Sequence, residues 1–418
     1  MSWNRVAGPY RGRRAAGFWA IVWMCGIAWL AAASVGLADE QERPRRFIFN
    51  TDGNNMFIYK QPPMQPADVY TYVDEVANTK VTTLFASPNI GMVVSFPGTV
   101  SPMIASGATT EELERLKQVG REKNVSNERS IANLHGLVEA GHDPLGLVIE
   151  RAREKGLEVF ISFRLNEIHD VQNPDSLIVS KFWRDHPEWR VGKPDDQLDD
   201  LFREIIGGSP EHPVSPIVAR WFTGALNFAI PEVRQRRLAE LRECCQRYPI
   251  DGLDLDFQRF PIYFPQDEGR EHVETMTSWV REVRQMTREI GEKRGRPLLL
   301  CARVLAKPQQ NLAIGLDPCA WANAGLLDFL VVSHYLRNDF LLPIAEFRRQ
   351  VPEEMPVYGS IEYEPQADSY RRIARQLYQS GADGVMMFNF VAARESGNGP
   401  PFEVLSELHD PSKIRLED

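Results

Sequence analysis

Eight short runs of apolar residues punctuate the chain, at 46–50, 81–87, 157–163, 252–257, 298–304, 328–334, 357–361 and 384–390. They are near-continuous rather than alternating, the pattern of strands covered on both faces. Stretches of helical period lie between most of them. One spans 144–155 and stops at Gly156; another spans 231–247, with Val233, Leu238 and Leu241 on one face and basic residues outward. Others fall at 272–293, 317–324, 342–350 and 366–380. Strand–helix alternation repeated in this way predicts a closed (β/α)8 TIM barrel within 46–410. An open, doubly wound sheet is the alternative, but no G-x-G-x-x-G follows the first run.

Two connections are long, 89–143 after the second run and 166–228 after the third. Both leave the C-terminal ends of strands, the face on which barrels carry their active sites, so they read as cleft walls or lids. The second is rich in aromatics: Phe182, Trp183, Trp189, Trp221 and Phe222. Exposed rings suit the C–H faces of sugars, and buried ones would form a satellite core under the loop.

The first 38 residues follow a different rule. Arg5, Arg11, Arg13 and Arg14 precede an apolar run over 18–37 that ends in Gly36-Leu37-Ala38. Basic, apolar and small residues in that order predict a secretory signal, and hence an exported protein, periplasmic or extracellular. The run is also long enough for an uncleaved membrane anchor. Residues 39–45 then read as a linker and 411–418 as a tail. Loss of 1–38 removes four Arg and no acid, leaving 44 basic against 57 acidic side chains and a net charge of −13. Such a chain lacks the basic footprint of a nucleic-acid binder. Four cysteines remain, without C-x-x-C or zinc spacing. No cofactor and no metal site are expected, and nothing in the pattern fixes an oligomeric state.

The chemistry is expected where strands end. Residues 251–261 read Asp-Gly-Leu-Asp-Leu-Asp-Phe-Gln-Arg-Phe-Pro, and on a strand Asp254 and Asp256 share one face. Buried carboxylates are costly unless used or paired. Asp52, Asn54, Arg164, Asn166, Glu167, His169, Gln258, Arg259, Arg303, His334, Tyr335, Glu362 and Asn389 also lie at strand ends. Cleaving a glycosidic bond takes two carboxyl groups, one donating a proton and one acting as nucleophile or base. Asp256 is the first candidate. Glu362, across the barrel, is the preferred partner, with Glu167 next. Asp254 lies deeper and is expected to orient Asp256. The remaining groups are expected to bind substrate. The bland alternative for Asp256 is an ion pair with Arg259 or Arg303 at the barrel mouth.

The block Asn227-Phe228-Ala229-Ile230-Pro231-Glu232-Val233-Arg234, followed by a helix and then 248–261, resembles the secreted bacterial barrel families that include the glycosyl hydrolase-like 10 group. His186-Pro187-Glu188-Trp189 is similar to them as well. Strand four also resembles the D-G-x-D-x-D-x-E motif of family-eighteen chitinases through Asp251, Gly252, Asp254 and Asp256. That family's proton donor, the final Glu, is Gln258 here, and an amide is no acid. The resemblance implies a glycosidase, a hydrolase of O-glycosyl bonds (EC 3.2.1), acting on poly- or oligosaccharide, with its acid on another strand. The alternatives are a catalytically inactive glycan-binding barrel and a metal-dependent hydrolase using Asp52, Asp254, Asp256, His169 or His334.

Overall fold

The computed structural model of the protein describes residues 45–53, 55–123, 125–193, 195–207 and 215–416. The expected signal segment, almost all of the linker and Asn54 lie outside the described residues. Each apolar run contains one strand: β1 (Ile48–Asn50), β2 (Thr83–Ala86), β3 (Glu158–Arg164), β4 (Gly252–Asp256), β5 (Leu299–Leu305), β6 (Phe329–Ser333), β7 (Val357–Ile361) and β8 (Gly384–Met387). All pair in parallel with their sequence neighbours, and β8 closes on β1. The expected (β/α)8 barrel is therefore observed, and the open sheet is not.

The two-residue period of a strand sorts the side chains into two layers. Ile48, Phe85, Phe160, Cys301, Phe329, Val331, Tyr358, Met386 and Phe388 point inward and form one buried cluster. The alternate residues, such as Leu84, Val159, Leu253, Leu300, Leu330 and Val385, belong to a second cluster under the surrounding helices. Rings fill the barrel: Phe85 stacks on Phe160 at 5.1 Å, and Phe160 meets Phe329 edge-on at 5.5 Å. Gly252 makes room for this plug, since a Cβ there would stand 2.0 Å from the Phe160 ring. Charge closes the base. Arg46 donates through Nε and Nη2 to Glu158 at 2.7 and 2.9 Å. Asp251 accepts from Arg153 and from the Val159 amide at 3.0 and 2.9 Å, and pairs with Arg296. The first carboxylate of the strand-four motif is thus a basal clamp, about 16 Å along the strand from Asp256.

Helices Pro144–Glu154, Pro231–Arg247, Val273–Arg294, Pro318–Asn323, Ile344–Arg348 and Ala367–Gln379 lie where the periodicity puts them. Several others exceed that reading. Pro66–Ala77 joins β1 to β2, and the connection after β2 carries helices Thr110–Glu122 and Ser126–Glu139. The connection after β3 carries Lys181–Asp185, Asp200–Ile205 and Pro216–Thr223. Its aromatics divide between the two expected uses. Trp183 is fully buried, donates from Nε1 to the Gly224 carbonyl at 2.6 Å and lies under Arg190, so it is satellite core. Phe222 is buried as well. Trp221 is only half-buried and faces the barrel mouth, with its ring 5.3 Å from that of His169. The cysteines Cys244, Cys245, Cys301 and Cys319 are all free thiols.

Candidate active site

The inward-facing positions at the C-terminal ends of the strands are charged, and they converge. Register aligns Arg164 of β3 with Asp256 of β4, and Asp256 with Arg303 of β5. Arg303 is the hub. Its Nη1 donates to both oxygens of Asp256 at 3.3 Å, and its Nη2 to Glu362 Oε1 at 2.7 Å. The Ser333 hydroxyl accepts from Nε and Nη2 of the same guanidinium at 3.2 and 3.0 Å. Phe388 supports the group from below, with the guanidinium carbon 3.7 Å from the ring centre. One buried cation therefore joins the two carboxyl groups expected to form the catalytic pair. Such a hub is stable only because each of its edges meets a carboxylate, a hydroxyl or a ring.

The two carboxyl groups are not equivalent. Asp256 accepts from the Gln258 backbone N–H at 3.0 Å in addition to Arg303. Glu362 Oε1 meets the Ser333 hydroxyl at 3.1 Å, but its Oε2 is buried without a hydrogen-bond partner. Burial raises the Glu362 pKa, and the nearby cations Arg303 and Arg259, with the Ser333 hydroxyl, only partly offset this. Asn338 holds the Glu362 backbone, accepting from its amide at 3.0 Å and donating to its carbonyl at 3.1 Å.

A second charged group stands at the end of β3. Arg164 donates to Glu167 Oε2 at 3.2 Å and pairs with Asp52. Glu167 Oε1 accepts from the Ile168 and His169 amides, both at 3.1 Å, and from His169 Nδ1. Burial would raise this carboxyl, but His169, Arg164 and Arg259 outweigh it and hold it well below the usual carboxylate range. Glu167 thus has both oxygens engaged, unlike Glu362. His169 Nε2 lies 3.3 Å from Arg259 Nη2. A guanidinium can only donate, so in that contact Nε2 is the acceptor.

Beneath the mouth, Asn50 donates to the Ser162 hydroxyl at 3.1 Å, and Ser162 donates to Asp254 Oδ2 at 2.7 Å. Cys301 meets the other Asp254 oxygen at 3.4 Å. Burial, then the neighbouring Asp256 charge, push Asp254 up to about 7. Two expected substrate groups have structural work instead. Asn166 donates to the Leu226 and Ile262 carbonyls at 2.9 and 2.5 Å and accepts from the Leu226 amide at 3.1 Å. Its amide is fully engaged in holding the long loop. Gln258 turns its NH2 to the Val304 carbonyl at 3.3 Å and to that of Ser333. The chitinase-like acid position is therefore filled by a tie to the tops of β5 and β6.

Tyr335, with its ring 5.9 Å from Phe260 and 6.0 Å from Phe222, lies within the field of Arg259, Glu167 and Glu362. His334 packs edge-on to Phe340 at 4.1 Å, and burial pulls it down to about 4, so it is neutral at physiological pH. Asn389, past the end of β8, is in the left-handed region at φ 54°. Ser333, Asn338 and Phe388 line the same mouth and were not foreseen, whereas Trp221 was among the loop aromatics expected to meet a sugar. Serine and phenylalanine at inward strand positions were legible by parity; Asn338, in an irregular loop, carried no signal. Among the described residues, no three His, Cys, Asp or Glu side chains come together as metal ligands.

No protein-family model matches the sequence, and no curated protein matches it. Solved structures do. The glycoside hydrolase domain of PgaB (BpsB) from Bordetella bronchiseptica is 12% identical, with 90% of this chain and 99% of that one aligned at a TM-score of 0.46. The endo-beta-1,4-mannanase from Thermotoga petrophila is 10% identical over 87% of this chain and 75% of its own, with a TM-score of 0.45. A family-36 alpha-galactosidase, AgaA, from Geobacillus stearothermophilus is 10% identical over 88% of this chain at a TM-score of 0.44, and the barrel spans 41% of that enzyme. At these identities the likeness carries no chemistry, which rests on the side chains alone.

Proposed function

We propose that the protein is an exported glycoside hydrolase that cleaves poly- or oligosaccharide at the barrel mouth by carboxyl acid/base catalysis. The observation that carries this reading is the asymmetry of the bridged pair. Glu362 has a raised pKa and an uncommitted oxygen, whereas Asp256 has both oxygens on Arg303. A carboxyl whose pKa burial raises and which keeps one oxygen free is suited to give a proton, and one held through both oxygens is suited to act as nucleophile or base. In this reading Glu362 Oε2 protonates the departing glycosidic oxygen. Arg303, 2.7 Å from Oε1, then stabilises the carboxylate left behind. Because one guanidinium reaches both groups, their nearest oxygens stand at most about 8 Å apart. That range admits the separations of retaining and of inverting enzymes, about 5–5.5 and 6.5–9.5 Å. Export rests on the order of basic, apolar and small residues in 1–38.

Support for a saccharide comes from unmet hydrogen-bonding capacity around the mouth. Buried polar atoms of Trp221, Gln258, Arg259, His334, Glu362 and Asn389 lack partners. A polyhydroxylated ligand supplies donors and acceptors together. A second reading, an inactive glycan-binding barrel, is favoured by Arg303 lying between the two carboxyl groups and by the structural engagement of Gln258. Reducing-end release from a panel of oligosaccharides, with Asp256→Asn as control, separates the two. Turnover that falls at least a thousandfold in the variant supports catalysis. Binding without product from the wild-type chain supports the second reading.

A further inference from the structure

The charges at the barrel mouth do not pair off evenly. Arg164 takes Asp52 and Glu167, and Arg303 takes Asp256 and Glu362. Arg259, just past the end of β4, has no carboxylate within ion-pair distance among the described residues. Its one side-chain contact of hydrogen-bond length is the 3.3 Å approach of Nη2 to His169 Nε2, while Nε and Nη1 are enclosed without acceptors. The residue as a whole is only partly buried, so it borders solvent, and its guanidinium carbon lies 5.2 Å from the Phe260 ring centroid. A cation in that state is costly: two donors have given up water and gained nothing. An arginine so placed is completed by an oxyanion, which takes charge-assisted hydrogen bonds that a neutral hydroxyl cannot match. The chain as a whole is acidic, so an acidic ligand meets attraction only where a cation is left uncommitted.

We infer that Arg259 recognises an oxyanion on the substrate, so that the saccharide taken at this mouth is an acidic one, carrying a uronic carboxylate or a sulfate ester. The inference rests on the saccharide reading above and narrows it. The anion meets Arg259 beside His169, whose Nε2 keeps the guanidinium oriented. Neighbouring sugar hydroxyls meet Glu362 and Asn389.

The test uses the full chain and matched pairs of oligosaccharides. Oligogalacturonate and oligoglucuronate are compared with their methyl esters, and a sulfated oligosaccharide with its desulfated counterpart. Binding is followed by calorimetry in wild type, Arg259→Gln and the charge-keeping Arg259→Lys. The acidic member of at least one pair is expected to bind tenfold or more tightly than its neutral partner. Arg259→Gln is expected to erase that preference and Arg259→Lys to keep part of it. Preference for the uronates identifies the carboxylate, and preference for the sulfated sugar identifies the ester. Equal binding of both members, a preference that survives Arg259→Gln, or no binding in any pair overturns the inference. Hydrolysis of neutral aryl glycosides reads the glycosidase proposal separately. Turnover there without charge preference removes only the acidic substrate, and charge preference without turnover on any substrate removes only the hydrolase.

Discussion

Arg303 shows what a single residue contributes at this mouth. Fully buried, it holds two carboxyl groups on strands far apart in sequence. Removing it leaves those groups facing each other uncompensated. Arg303→Ala is therefore expected to lower unfolding stability by about 3–5 kcal/mol in urea titration. Arg303→Lys will not restore it, because a single compact ammonium lacks the spread of the planar guanidinium fork that reaches both carboxyl groups. An unchanged midpoint would mean that the bridge does not form. Asp254 gives a residue-scale prediction of a different kind. Its folded pKa, about 7, lies above its ordinary value of 3.8. The stability linked to its protonation is thus present in full below about pH 4 and is lost as pH rises toward 7. Asp254→Asn mimics the protonated form, so its stability relative to wild type should climb across that window, as read by denaturation at stepped pH. A flat difference contradicts the buried proton. At this scale the sequence revealed which side chains face the mouth, because strand parity places Asp254, Asp256, Arg303 and Glu362 inward. It offered Arg303 as an ion-pair partner for Asp256, which is observed, but not that the same guanidinium also holds Glu362, since a pair 59 residues apart is fixed by barrel register rather than by local pattern. Nor could it show that Asn166 and Gln258 face backbone carbonyls, because an amide near a strand end serves loop or ligand equally well.

At the scale of elements, the eight strands were readable because burial on both faces leaves a continuous apolar run. The helices that escaped notice are those whose surfaces are mostly polar or that sit inside long connections. Thr110–Glu122 is the instructive one. Its start carries a capping box: Thr109 Oγ1 accepts from the Glu112 amide at 3.2 Å, and Glu112 accepts from the Thr109 amide at 2.8 Å. That Thr-x-x-Glu spacing was visible in the sequence, but only Leu116, Lys117 and Gly120 are buried along the helix, so the apolar stripe was too thin to announce it. Strand β4 supplies the prediction at this scale. Gly252 lies beside the Phe160 ring on the adjacent strand, where a methyl group has no room. Gly252→Ala is expected to cost about 1–3 kcal/mol by forcing the plug apart, and Gly252→Ala with Phe160→Leu to recover part of it. Additive losses in that double-mutant cycle would contradict direct packing between the two.

The whole molecule separates stability from chemistry along the barrel axis. The base is closed by Arg46 with Glu158 and by Asp251 with Arg153 and Arg296. The interior is filled with rings, and the mouth holds the bridged carboxyl groups. The strand-four motif spans this division, with Asp251 clamping the base and Asp256 serving the mouth. The central claim is that Glu362 gives the proton, and it is tested most directly by the dependence of turnover on the leaving group. A glycoside whose leaving group departs unaided needs no acid, whereas an unactivated glycan does. Glu362→Gln should cut hydrolysis of an unactivated oligosaccharide by about 10²–10⁴-fold. It should largely spare an activated aryl glycoside of the same sugar. Equal losses on both substrates, or an undiminished rate on the oligosaccharide, would contradict the assignment.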